Sequence, residues 1–252
     1  MKGLVLGNSH ASCLKIAYDK NYTNSTTLNL DFYITPGGYG PHFFIKNNLL
    51  EVPKFEINPK FPPRYSTESV LSTKINEYDF LIISALGFID PGPVNSTNKI
   101  TSLGCIYEFK PKLEFISSAT PVSKQLVIKC ANQLLSLQRG FRLLEEIKST
   151  YKGIIVVQRS PNFSVDILDD PNWALQRYER TLEAHNFFNA IRGKFLESVT
   201  VGENVFLLDH PEECMHESGL TTNEFMQKDK IHGNELYGVL VLNEINNVLR
   251  NI

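Results

Sequence analysis

Residues 2–10 read Lys2-Gly3-Leu4-Val5-Leu6-Gly7-Asn8-Ser9-His10 (KGLVLGNSH), a short apolar run that ends in a Gly-Asn-Ser corner. The run has the length and composition of a buried strand, and the glycine after its last apolar residue permits a tight turn. Beyond the corner, residues 11–19 carry Ala11, Leu14, Ile16, Ala17 and Tyr18 at helical spacing. Ser9 is therefore expected at a strand-to-helix junction. In an open α/β sheet that junction lies at the carboxyl edge, where ligands bind. A serine so placed is a candidate nucleophile if the chain supplies a base. The competing reading is a helix cap, because a serine oxygen readily accepts a hydrogen bond from an unpaired backbone N–H.

A base is available far along the chain. Lys228-Asp229-Lys230-Ile231-His232-Gly233-Asn234 precedes a segment with Leu236, Val239, Leu240, Leu242, Ile245, Val248 and Leu249 at helical spacing. A three-residue offset on a turn puts the Asp229 and His232 side chains on one side. The carboxylate then holds one imidazole nitrogen while the other faces a substrate. A serine hydrolase requires such an oriented base. Read alone, the pair is equally a solvated capping Asp and a surface His. Asp209-His210 is a second acid/base source, but neighbours on a strand point apart, so neither orients the other easily.

Gly7-Asn8-Ser9-His10 after the first strand, together with Asp229-x-x-His232 ahead of a helix, resembles the SGNH (GDSL-type) hydrolase family. The resemblance implies a flavodoxin-like three-layer α/β/α sandwich and acyl-ester chemistry, with Ser9, His232 and Asp229 as the catalytic residues. It also implies an oxyanion hole made by the Ser9 N–H and a glycine after the second strand. Gly37, Gly38 and Gly40 lie in that loop, and Gly38 is the favoured donor. The family's Gly-x-Asn-Asp block reads Gly87-Phe88-Ile89-Asp90 here, so an isoleucine replaces a donor. Asn95, Gln158, Arg159 and Asn162 are candidate substitutes by loop. Of the remaining polar residues, His10, Arg159 and Asn162 are expected to bind substrate, whereas His42, His185 and His216 read as ordinary surface or supporting residues.

Five apolar runs have the character of buried parallel strands, at 3–6, 28–34, 78–86, 153–157 and 204–208. Helical patterns separate them, the longest at 121–151 and 172–200. This alternation predicts α/β architecture with a mainly parallel five-stranded sheet, in one domain over 1–252. Two excursions interrupt it. Residues 41–72, rich in proline, are expected to be irregular before a short helix at 67–77. Residues 91–119 hold a candidate hairpin at 105–115. Both are expected to wall the pocket, since long loops in compact domains are commonly functional.

The 252 residues are 42% hydrophobic and 21% charged, ordinary globular values, with a net charge of −2. That charge offers no electrostatic footprint for nucleic acid or an anionic membrane. No apolar stretch has membrane-spanning length, which takes about 20 residues. Four scattered cysteines (Cys13, Cys105, Cys130, Cys214) form no metal-like cluster and read as free thiols, so a cytoplasmic location and no metal or cofactor are expected. The expected activity is a serine esterase that removes a small acyl group, acetyl in the first place, from a carbohydrate. The alternatives are an O-acyltransferase using the same residues and a non-catalytic carbohydrate-binding protein on the same fold.

Overall fold

A computed structural model describes residues 1–20, 28–34, 44–46, 49–51, 65–66, 72–86, 124–137, 139–169 and 182–252. Five parallel strands form the central sheet: β1 (Lys2–Gly7), β2 (Asn29–Ile34), β3 (Phe80–Leu86), β4 (Ile154–Arg159) and β5 (Val205–Leu208). Their spatial order is β2-β1-β3-β4-β5, the doubly wound flavodoxin-like order with its switch point between β1 and β3. A two-residue strand, Tyr65–Ser66, pairs antiparallel with β2 at the edge. Within β1, Leu4 faces Asp31 of β2 and Leu81 of β3, so the first strand has a neighbour on each side.

Strand side chains alternate between two cores. Leu4, Leu6, Leu81, Ile83, Ile155 and Val157 pack on one face with α2 (Lys124–Leu137), α3 (Arg139–Thr150) and α4 (Leu182–Val199). Val5, Phe32, Ile82 and Val156 pack on the other face with α1 (Ser12–Asp19) and α5 (Glu235–Arg250). The result is a three-layer α/β/α sandwich. Helix α5 alone buries Tyr237, Val241, Leu242, Ile245 and Leu249. Full burial of a large apolar side chain is worth about 1.5–3 kcal/mol, so this one stripe is a major anchor.

The two helices of that second face touch closely because α5 carries a glycine. A Cβ at Gly238 would collide with the carbonyl of Cys13 in α1. This contact locks the element that follows β1 against the element that follows the Asp229–His232 loop.

The structure revises three sequence expectations. Residues 41–72 are not wholly irregular: Phe44–Lys46 and Leu49–Glu51 form a hairpin that also pairs with Ser72–Lys74. Leu50 and Ile75 are fully buried against the first core, and that burial is what orders the excursion. Over 72–77, the described part of the helix expected at 67–77, the chain is instead this Ser72–Lys74 strand and a single 3-10 turn, Ile75–Glu77; sheet pairing overrides the weak helical pattern. The stripe at 121–151 is carried by two helices, α2 and α3, with the weak helix former Gly140 in the first turn of α3. The first part of the 172–200 pattern and all of 91–119, with its 105–115 hairpin, lie outside the described residues.

Candidate active site

At the carboxyl edge of β1 the chain turns sharply into a 3-10 turn, Ser9–Ala11, and then α1. Gly7 makes the corner possible, since a Cβ there would stand 2.6 Å from that of Ala11 and 3.1 Å from the Ser84 carbonyl. The capping role considered for Ser9 falls to Asn8. Its Oδ1 accepts the His10 N–H at 3.0 Å, and its carbonyl accepts the Ala11 N–H at 2.9 Å. The Ser9 hydroxyl is thereby left for another partner. Among the described residues the Ser9 N–H meets no acceptor, while the Ser9 carbonyl is held by the Ser12 hydroxyl at 2.7 Å.

The partner of Ser9 comes from 223 residues away. His232 Nε2 lies 2.9 Å from Ser9 Oγ, and His232 Nδ1 lies 2.7 Å from Asp229 Oδ2. Asp229 Oδ1 meanwhile accepts the backbone N–H groups of Ile231 and His232, each at 3.0 Å. Partial burial pushes the Asp229 carboxyl up. The two backbone donors and the His232 ring outweigh that and hold it below the usual carboxylate range. An ionised Asp229 needs the proton of His232 on Nδ1, which leaves Nε2 free to accept the Ser9 proton.

No regular element carries this acid–base pair, so side chains and turns pin it instead. Gln227 N–H donates to the His232 carbonyl at 2.7 Å, and Ser164 N–H donates to the Lys230 carbonyl at 2.9 Å. Lys230 adopts φ 63°, a left-handed conformation unusual for a residue with a side chain. Asn234 closes the loop. Its Oδ1 caps α5 through the Leu236 and Tyr237 N–H groups, and its Nδ2 reaches back to the Glu224 and Met226 carbonyls.

His10 is buried and stacks on His232, with ring centroids 4.4 Å apart and an interplanar angle of 29°. Burial, then the His232 ring and the Arg192 charge, push its pKa down to about 3, so a neutral ring backs the candidate base. His210 belongs to a different group. Its Nδ1 meets the hydroxyl of fully buried Tyr237 at 3.4 Å, and burial followed by Arg192 and Arg159 holds it near about 3. Asp209 turns instead to Arg159, at 3.2 Å, so the Asp209–His210 pair does not assemble.

Asn162 is buried and its carboxamide is engaged at both ends, with Nδ2 donating to the Gly219 carbonyl at 2.8 Å and Oδ1 accepting from Arg192 at 3.0 Å. Arg159 reaches Glu197 and Asp209. Gly38, Ile89 and Asn95 lie outside the described residues. The thiols of Cys13 and Cys214 are pushed up to about 12 by burial and are unsuited to nucleophilic work. Among the described residues no three His, Cys, Asp or Glu side chains are grouped to hold a metal ion, and no helix is long and apolar enough to cross a membrane.

Sequence reasoning overlooked two residues. Asn8 is the cap, a role its residue type already favours. Arg192 is the other: it falls between Ile191 and Phe195 on an apolar helix pattern, and a charge in that position was the available signal.

No family model matches the chain, and no curated protein matches it. Among solved structures it is similar to that of a "putative acylhydrolase" from Bacteroides fragilis, at 8% identity and a TM-score of 0.46, over 99% of this chain and 86% of that one.

Proposed function

We propose that the protein is a serine esterase of the SGNH type that cleaves a small acyl ester, acetyl in the first place, from a carbohydrate. One observation carries the reading: Ser9 Oγ, the His232 ring and the Asp229 carboxylate form a continuous chain of hydrogen bonds, at 2.9 and 2.7 Å. Ser9 Oγ attacks the ester carbonyl as its proton passes to His232 Nε2. Asp229 keeps the ring in the productive tautomer and favours its cationic form. The tetrahedral intermediate then expels the alcohol, which takes the proton back from His232. Water repeats the sequence on the acyl-enzyme and releases the acid.

The negative charge on the intermediate needs donors, each worth about 2.7–4 kcal/mol of barrier. The Ser9 N–H, which has no acceptor among the described residues, and the N–H of Gly38 are the donors we assign. The sugar substrate is taken from the family resemblance alone.

Covalent labelling with a fluorophosphonate, followed by peptide mapping, tests the nucleophile without knowledge of the substrate. The expected adduct is on Ser9, and Ser9→Ala is expected to abolish hydrolysis of p-nitrophenyl acetate while the fold is retained. Absence of an adduct, with turnover no higher than in buffer, would favour the non-catalytic carbohydrate-binding reading.

A further inference from the structure

Arg192, midway along α4, is 3% exposed. A guanidinium has five N–H donors. Among the described residues one acceptor meets them, Asn162 Oδ1 at 3.0 Å, and no carboxylate faces the group. Its charged neighbour is another cation. Arg159 Nη1 lies 3.3 Å from where a Cβ on Gly193 would stand, so the bare glycine lets a second guanidinium lie against α4 one residue from Arg192. Arg159 spends Nη2 on Glu197 and Asp209, at 3.3 and 3.2 Å. Among the described residues its Nε and the hydroxyl of Ser160, both buried, meet no partner.

A buried guanidinium without an anion is costly, because its desolvation is not repaid by a partner charge. Here the cluster lies at the carboxyl ends of β4 and β5, near enough for the Arg192 charge to act on His10, which stacks on His232. Arg159 is already matched by carboxylates, so among the described residues the positive charge of Arg192 is the one left without an anion.

We infer that the Arg192 guanidinium, with the Arg159 guanidinium packed against the next residue of α4, is a subsite for a carboxylate carried by the substrate. A single unmatched charge with planar paired donors fits a carboxylate monoanion better than a phosphate dianion. Asn162 is the positioning residue: its carboxamide, anchored on the Gly219 carbonyl, fixes the guanidinium plane. The inference rests on the esterase reading for the location of the scissile ester. The carboxylate belongs either to the alcohol part, as in an acidic sugar, or to the acyl part, as in the half-ester of a dicarboxylic acid.

Calorimetric titration of the intact protein with glucuronate and with succinate tests it, with glucose and succinamide as neutral controls. Preferential binding of one carboxylate, about tenfold or more over its neutral control, is expected and identifies which part bears the charge. Arg192→Met is expected to remove the preference and Arg192→Lys to keep part of it. Should Arg192→Met fail to fold, the wild-type protein still gives a readout: the bound carboxylate slows fluorophosphonate labelling of Ser9 and its neutral control does not. Equal binding of charged and neutral ligands overturns the subsite. Carboxylate binding without any fluorophosphonate adduct keeps the subsite and overturns the esterase.

Discussion

The two halves of the proposed catalytic chain are held by different means. Ser9 sits where a strand ends and a helix begins, and its position follows from β1 pairing on both sides and from Asn8 capping the turn. His232 and Asp229 sit on a loop with no repetitive structure, pinned by turns, by Asn234 and by the Asp229 carboxylate bonding its own backbone. One side borrows precision from the sheet; the other assembles it from side chains. Substitutions in the supports of the second side should therefore act locally, and those in the supports of Ser9 through the fold.

The largest expected effect is on Asp229. Asp229→Asn should cut ester turnover by about three to four orders of magnitude, because the amide presents the wrong group to Nδ1 and disturbs the tautomer. Steady-state rates with p-nitrophenyl acetate check this, and a loss below tenfold would make the base independent of its acid. Next comes the contact that joins the halves. Gly238→Ala drives a methyl into the Cys13 carbonyl and is expected to cost about 2–3 kcal/mol of unfolding free energy, read by urea denaturation. An unchanged midpoint would mean that α1 and α5 separate freely. Asn234→Ala removes a helix cap and the tie to the Glu224 carbonyl, for about 1–2 kcal/mol. Its signature is a fall in activity larger than Gly238→Ala produces at equal stability.

The smallest effect concerns pH. Burial, then Glu213, Asp209 and Glu212, raise the Glu244 carboxyl to about 7. A raised acid binds more protons in the folded state between its ordinary pKa near 4.5 and this value, so its contribution to stability falls as pH rises through that window. Glu244→Gln should leave stability unchanged near pH 4 and raise it at pH 8 by on the order of 1 kcal/mol, allowing for solvent screening. A gain of equal size at both pH values would point to packing instead of charge.

Much of this was readable from the chain because buried parallel strands appear as uninterrupted apolar runs. All five emerged within two residues of their structural bounds. Ser9 and the Asp229–His232 pair stood out for a related reason: each lies immediately beside a strongly patterned element. The Phe44–Lys46 and Leu49–Glu51 hairpin was not legible, since three-residue strands are too short for a period and prolines surround them. Arg192 was hidden by a different effect. An arginine on an apolar helix pattern reads as a charge reaching for solvent, and its burial and its bond to Asn162 show that it turns inward.

The separation of 223 residues between Ser9 and His232 also sets a schedule. At typical synthesis rates the nucleophile leaves the ribosome on the order of ten to forty seconds before the imidazole does. Throughout that interval the hydroxyl lacks His232, the base that the proposed mechanism requires. In the proposed mechanism, docking of α5 through Gly238 is then the step that brings the base to the hydroxyl, which ties the onset of activity to late folding.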